Sequence, residues 1–218
     1  MFLTRMAING ARRGAWKLLR SPQAMHAAVL SGFSPDTELV SSGRRVLWRI
    51  DRVPNAIWLY VTSPERPDLT HLVEQAGWPT QSAWETREYA PFLGRLAAGQ
   101  RWAFRLYANP VHAVTDASGS TKRYGHVTVV QQQQWLLERA STNGFTVTTG
   151  DTGPDLAVTR RDRVSFRRGS GTVTLDTAQF DGQLEIVDAD ALRRALTAGI
   201  GRAKGYGCGL MTLAPVSR

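Results

Sequence analysis

Cysteine is almost missing: the 218-residue chain has one, Cys208. A single thiol excludes an internal disulfide framework and a cysteine-rich zinc site. Long apolar runs are absent too. No stretch approaches the ~18 apolar residues of a spanning helix. The opening MFLTRMAINGARRGAWKLLR has no apolar run of signal-peptide length ahead of its arginines. A cytoplasmic protein with no membrane partner is the expectation, although Arg12, Arg13, Lys17 and Arg20 resemble a basic amphipathic patch. Lysine is scarce: of 27 basic residues only Lys17, Lys122 and Lys204 are lysine. Acid is short as well, with 18 Asp and Glu against those 27, a net charge of +9.

Histidine is sparse: His26, His71, His112 and His126, none at zinc spacing with a second His or Cys. Asp and Glu are scattered, with no tight cluster to hold two magnesium ions. Spacing alone therefore disfavours a metal-dependent nuclease. No metal or cofactor is expected.

What is present begins with a globular balance of 42% hydrophobic and 21% charged residues, which excludes a mainly disordered chain. The length fits one large or two small domains. A strongly basic balance suits a polyanionic partner, nucleic acid before a membrane surface. Arginine forks pair bidentately with phosphates and guanine edges, so the arginine excess suits nucleic acid; genomic composition bias would give the same excess.

Alternation predicts a strand over 2–8, and ARRG after Asn9-Gly10 reads as a loop. Ser21 followed by Pro22 starts a helix over about 22–29. VLWRIDRV and AIWLYVT form a hairpin around Pro54-Asn55, and 68–76 is an amphipathic helix stopped by Gly77 and Pro79. A short strand near 83–90 completes β-α-β-β-α-β, the ferredoxin-like order. After a connector over 91–100, a strand over 101–108 opens a second unit. A polar loop at 115–125 and a helix over 130–143 follow. Short strands at 145–149, 156–159, 163–167, 173–175 and 183–187 come next. Asp188 caps a helix over 189–198, and the last strand is 210–213. The expected fold is α+β: two tandem ferredoxin-like (RRM-like) β-α-β-β-α-β domains packed together, 1–94 and 95–218. Sheets of this type serve as RNA platforms, but the fold alone assigns no function.

His26 lies on the first expected helix, just after the basic stretch. An imidazole there is placed for proton transfer near neutral pH, or is an ordinary satisfied helical histidine. His71 reads as a surface residue. His112 and His126 flank the polar loop. The C-terminal GIGRAKGYGCGLMTL sets Gly199, Gly201, Gly205, Gly207 and Gly209 among Arg202, Lys204 and Tyr206. Glycines allow close backbone approach and N–H nests, so the string reads as a phosphate cradle; a tight helix-to-strand connection is the plainer reading. It matches neither a Walker A loop nor a dinucleotide fingerprint. Arg160, Arg161, Arg163, Arg167 and Arg168 surround one Asp162. On a strand, Arg161, Arg163 and Arg167 would share a face, as a ligand-binding ribbon or a charge-protected edge.

FLTRMAIN, SPQAMHAAVL, VLWRI, GQRWAFRLYANPV, QQWLLERASTNGF and FDGQLEIVDADALRRALTAGIGRAKGYGCGLMTLAPV together resemble the CasE family. These are the CRISPR repeat-processing endoribonucleases of type I-E systems. The resemblance spans essentially the whole chain and is most specific at its end. It implies a tandem ferredoxin-like fold and binding of the CRISPR repeat RNA hairpin. It also implies metal-independent cleavage at the hairpin's 3′ base, with the product held among the other Cascade subunits. By position His26 matches the family's catalytic histidine. Some members carry a tyrosine three residues earlier, where this chain has Gln23; Tyr206 is a candidate substitute. Arg12, Arg13, Lys17, Lys122, Arg123, Arg202, the arginine block and the five glycines are the expected RNA contacts.

The implied chemistry is attack of a ribose 2′-OH on the adjacent phosphate, giving a 2′,3′-cyclic phosphate and a 5′-OH. His26 would act as general base or general acid, and Lys204 would stabilise the phosphorane. Two other readings remain at this stage: a non-catalytic subunit that only holds the RNA hairpin, and a small-molecule enzyme on the same scaffold.

Overall fold

The computed structural model describes residues 1–35, 40–41, 44–79, 84–116, 118–151 and 153–216. Strand β1 (Phe2–Ile8) leads into helices α1 (Arg13–Arg20) and α2 (Pro22–Leu30). The short pieces β2 (Val40–Ser41) and β3 (Arg44–Arg45) pair with each other. Then follow β4 (Leu47–Val53), β5 (Ala56–Ser63), α3 (Thr70–Ala76) and β6 (Glu85–Glu88). Their sheet runs β4-β5-β1-β6, with every pair antiparallel. Alternation along β1 sends Met6 and Ile8 into a core with Leu59 and Val61 of β5, where Leu18, Met25, Val29 and Leu72 of the helices cover them.

Helix α4 (Ala90–Gly94) leads into the second half, which contains β7 (Arg101–Ala108), the hairpin β8 (Val111–Thr115) and β9 (Thr121–Gly125), and α5 (Val129–Ala140). It continues through β10 (Phe145–Val147), the small pair β11 (Thr149–Gly150) and β12 (Gly153–Pro154), and the long strands β13 (Leu156–Arg168) and β14 (Gly171–Ile186). Helix α6 (Ala189–Ala198) and β15 (Met211–Ala214) finish it. The sheet order is β10-β14-β7-β15, with β13 also on β14, again antiparallel throughout. Phe104, Leu106, Phe180 and Leu184 meet Trp135, Leu136, Leu192 and Leu196 of α5 and α6.

The faces turned away from the helices meet each other through charge. Arg49 of β4 is 1% exposed. It donates to both Asp51 carboxylate oxygens at 2.6 and 2.9 Å and crosses to the carbonyls of Arg105 and Leu210 and the Thr212 hydroxyl. Arg105 lies 3.5 Å from Asp51 and is bound to Asp181. A buried guanidinium is tolerated because every polar edge is paired.

Several expected elements differ. The expected ARRG loop ends at Arg12, and Arg13–Arg20 form a helix that was not expected. Ala15 and Leu18, three apart, are buried while Arg13, Trp16 and Lys17 stay exposed, a one-sided pattern that reads as polar in a short window. The connector after Pro91 holds α4. The polar 115–125 segment is the arm of a hairpin, with Ala117 outside the described residues. Four short expected strands are two long ones. β14 pairs with β7 only over 178–185, so Asp162–Arg168 and Gly171–Thr177 extend beyond β7 as a two-stranded ribbon of about 23 Å. Ala83, at the start of the expected fourth strand, lies outside the described residues. The strands at 2–8 and 101–108 and the helix 189–198, capped by the Asp188 side chain on Ala191 N–H, fall where the sequence predicts them.

Candidate active site

Ser21 accepts a hydrogen bond from Ala24 N–H, and Pro22 follows at the first helical position, so α2 starts where the sequence dictates. Met25 and Val29 are buried on one side. His26, one residue past Met25, emerges half-buried at the border of the core. Its Nδ1 accepts a hydrogen bond from the Trp48 indole N–H at 3.2 Å. Its Nε2 edge lies against the C-terminal glycine loop: a β-carbon on Gly205 would sit 3.3 Å from Nε2. Burial first, and the Arg45 charge second, hold the ring's pKa below the ordinary histidine value. The imidazole is therefore neutral near pH 7.

The glycine loop is built for packing. Gly207 takes φ 82°, and a β-carbon there would lie 2.7 Å from the Trp48 ring. Gly199 packs on Leu47, Gly201 on Trp135 and Gly209 on Ile200. Gly207 and Gly209 are buried. The tight-connection reading accounts for the glycines at these positions. At these glycines the missing side chains admit protein neighbours, and the sequence could not distinguish that from ligand approach. Lys204 is also engaged: its ammonium donates to the Ala198 carbonyl at 2.7 Å, closing the end of α6. Desolvation, then Arg45, lowers its pKa. Tyr206 packs on Phe166 of the ribbon, ring centroids 4.7 Å apart. Together with Trp48, Tyr107, Arg52 and Arg160 it lines a cleft of about 90 Å³ between the two sheets.

The other basic residues divide by partner. The Arg12 guanidinium donates to the Val73 and Gly77 carbonyls at 3.3 and 3.1 Å, tying down the end of α3. Arg13 and Lys17 are exposed on α1. Arg161, Arg163 and Arg167 do share the exposed face of β13, while Arg160 points to the cleft side, paired with Asp162 at 2.7 Å and 5.7 Å from the Tyr107 ring. Arg163 is held by Asp176 at 2.7 Å, and Arg161 donates to the Val127 carbonyl at 3.1 Å. Arg167, Arg168, Lys122, Arg123 and Arg202 are exposed, and none makes an ion pair among the described residues.

Trp48, Arg45 and Tyr107 were not marked by the sequence. Trp48 alternates with Ile50 on β4 and reads as core; only the fold brings it to His26. Cys208 is fully buried and its thiol is pushed up to about 12 by burial, so it is chemically quiet. Among the described residues no group of three or more His, Cys, Asp and Glu is placed to hold a metal ion, and no helix is long and apolar enough to cross a membrane.

A neutral imidazole at the edge of an aromatic and arginine-lined cleft, beside an arginine-faced ribbon, is a site able to grip a polyanion and move a proton. The comparisons agree with that class. A family described as CRISPR associated protein matches residues 1–215. The chain belongs to that family, and within it to the CasE type. The CRISPR-associated endoribonuclease Cse3 of Thermus thermophilus is 30% identical over 99% of this chain and 100% of its own. The CRISPR system Cascade subunit CasE of Escherichia coli is 32% identical over 56% of this chain and 62% of its own. The solved structure of CRISPR endoribonuclease Cse3 bound to 19 nt RNA superposes with a TM-score of 0.83 at 29% identity, covering 99% of this chain and 100% of that one.

Proposed function

We propose that this protein is a CRISPR repeat-processing endoribonuclease. It binds the repeat RNA hairpin and cuts at the hairpin's 3′ base by attack of the ribose 2′-OH, without a metal ion. The products are a 2′,3′-cyclic phosphate and a 5′-OH. It keeps the RNA as a subunit of a Cascade assembly. The observation that carries this reading is the half-buried His26, bonded to the Trp48 that lines a cleft with Arg52 and Arg160, in a chain that matches an RNA-bound endoribonuclease end to end. His26 is the proton-transfer group, a role that contributes about 10²–10⁴-fold. The exposed face of the ribbon and the free cations of α1, β9 and the glycine loop hold the phosphate backbone by bidentate and point contacts.

We further propose that residues 1–94 and 95–218 are two tandem ferredoxin-like domains. The sheet orders β4-β5-β1-β6 and β10-β14-β7-β15, both antiparallel, support this. The junction between them supplies both His26 and its surroundings.

The test is a repeat hairpin carrying a single 2′-deoxy nucleotide at the cleaved position. It should bind as the all-ribose RNA does and stay whole. Cleavage of the deoxy substrate would contradict 2′-OH attack. The non-catalytic reading has its own signature: tight binding of the all-ribose hairpin with no cut.

A further inference from the structure

The bond between Trp48 and His26 fixes more than position. An indole N–H can only donate. Nδ1 of His26 must therefore present its lone pair to Trp48, and the neutral ring carries its proton on Nε2. The imidazolium has hydrogens on both nitrogens. Charging the ring would set Nδ1–H against the indole N–H and leave a buried donor without an acceptor, since Trp48 is only 4% exposed. Trp48 cannot swing aside in place, because the Gly207 backbone is clamped on its ring.

We propose that Trp48 is a positioning residue for the cleavage reaction: its indole N–H selects the Nε2–H tautomer of His26 and opposes protonation of the ring until RNA binds. The inference rests on His26 being the proton-transfer group. The charged and titratable groups around the ring are few. Arg45 comes from β3, and its charge acts in the same direction as the indole. Lys204 precedes the Gly205 backbone that covers Nε2, with its ammonium turned to Ala198. The Tyr206 phenol and the Arg160 guanidinium of β13 line the neighbouring cleft. Among the described residues no carboxylate acts on the ring to offset these cations.

The test uses the full chain labelled with ¹⁵N-histidine, free of RNA, as wild type and as Trp48→Phe. A His26→Ala variant assigns the resonance. Wild-type His26 should show the Nε2–H tautomer as its main neutral form. In Trp48→Phe its midpoint should rise by about one pH unit, a tenfold gain in proton affinity or about 1.4 kcal/mol. The limb of the single-turnover pH–cleavage profile that depends on His26 should move up by the same amount, which a merely loosened core would not produce. An Nδ1–H tautomer in the wild type overturns the proposal, as does a midpoint and limb that Trp48→Phe leaves unmoved. If the Phe variant fails to fold, the wild-type tautomer decides by itself. Cleavage that survives His26→Ala would sink the functional reading through the cleavage arm, while the resonance arm would still report the Trp48 contact.

Discussion

At the scale of single residues, His26 and its covering loop determine what the site can do. Because burial and Arg45 lower its pKa, the ring loses its charge below the usual histidine midpoint of about 6.5. Titration of the free protein should place its midpoint below that value. A midpoint above 6.5 would mean the neutral, half-buried environment is wrong. Gly207 is the second test at this scale. Alanine there meets both a positive φ and the Trp48 ring, and should cost about 1–3 kcal/mol in denaturant unfolding. The sequence marked His26 as a candidate because it follows a basic stretch on a capped helix. It could not mark Trp48, since an indole alternating with Ile50 on a strand is indistinguishable from core until the chain folds. The five glycines stayed ambiguous for a related reason: a missing side chain looks the same whether a phosphate or a tryptophan fills the space.

At the scale of elements, the ribbon of β13 and β14 is the clearest arginine-bearing feature. Period-2 alternation alone put Arg161, Arg163 and Arg167 on one face, and they are there. Its length was not legible, because Asp162, Ser165 and the Gly169–Gly171 turn break the apolar signal used to recognise strands. Replacing Arg161, Arg167 and Arg168 with glutamine should weaken RNA binding strongly. If all three meet phosphates, the slope of log affinity against log salt should fall by about 2–3. An unchanged slope would move the RNA footprint elsewhere, to α1 or the β8–β9 hairpin. Helix α1 was missed because a short, arginine-bearing segment hides its two buried positions, Ala15 and Leu18.

At the scale of the whole molecule, two antiparallel sheets, one of four strands and one of five, are joined by a charge network with Arg49 at its centre. Most of their strands and the capped helices were readable from hydrophobic periodicity and caps. The way the halves meet was not, because Arg49 and Arg105 look like surface residues in a basic chain. Truncating Arg49 to alanine leaves Asp51 buried without its main partner and should destabilise the fold by about 3–5 kcal/mol. Loss of cleavage in that variant at a temperature where it stays folded would report the junction rather than the ribbon. The same junction holds Trp48 against Gly207 and so keeps His26 in register with the cleft.

The central claim is that His26 carries metal-free RNA cleavage. The most direct measurement is single-turnover cleavage of an end-labelled cognate repeat hairpin in excess EDTA, with wild type and His26→Ala side by side. Wild type should cut once, at the 3′ base of the hairpin, leaving a 2′,3′-cyclic phosphate. His26→Ala should bind the RNA but cut it about 10²–10⁴-fold more slowly. Equal cleavage by the two proteins, or cleavage by wild type only after magnesium is restored, would contradict the account.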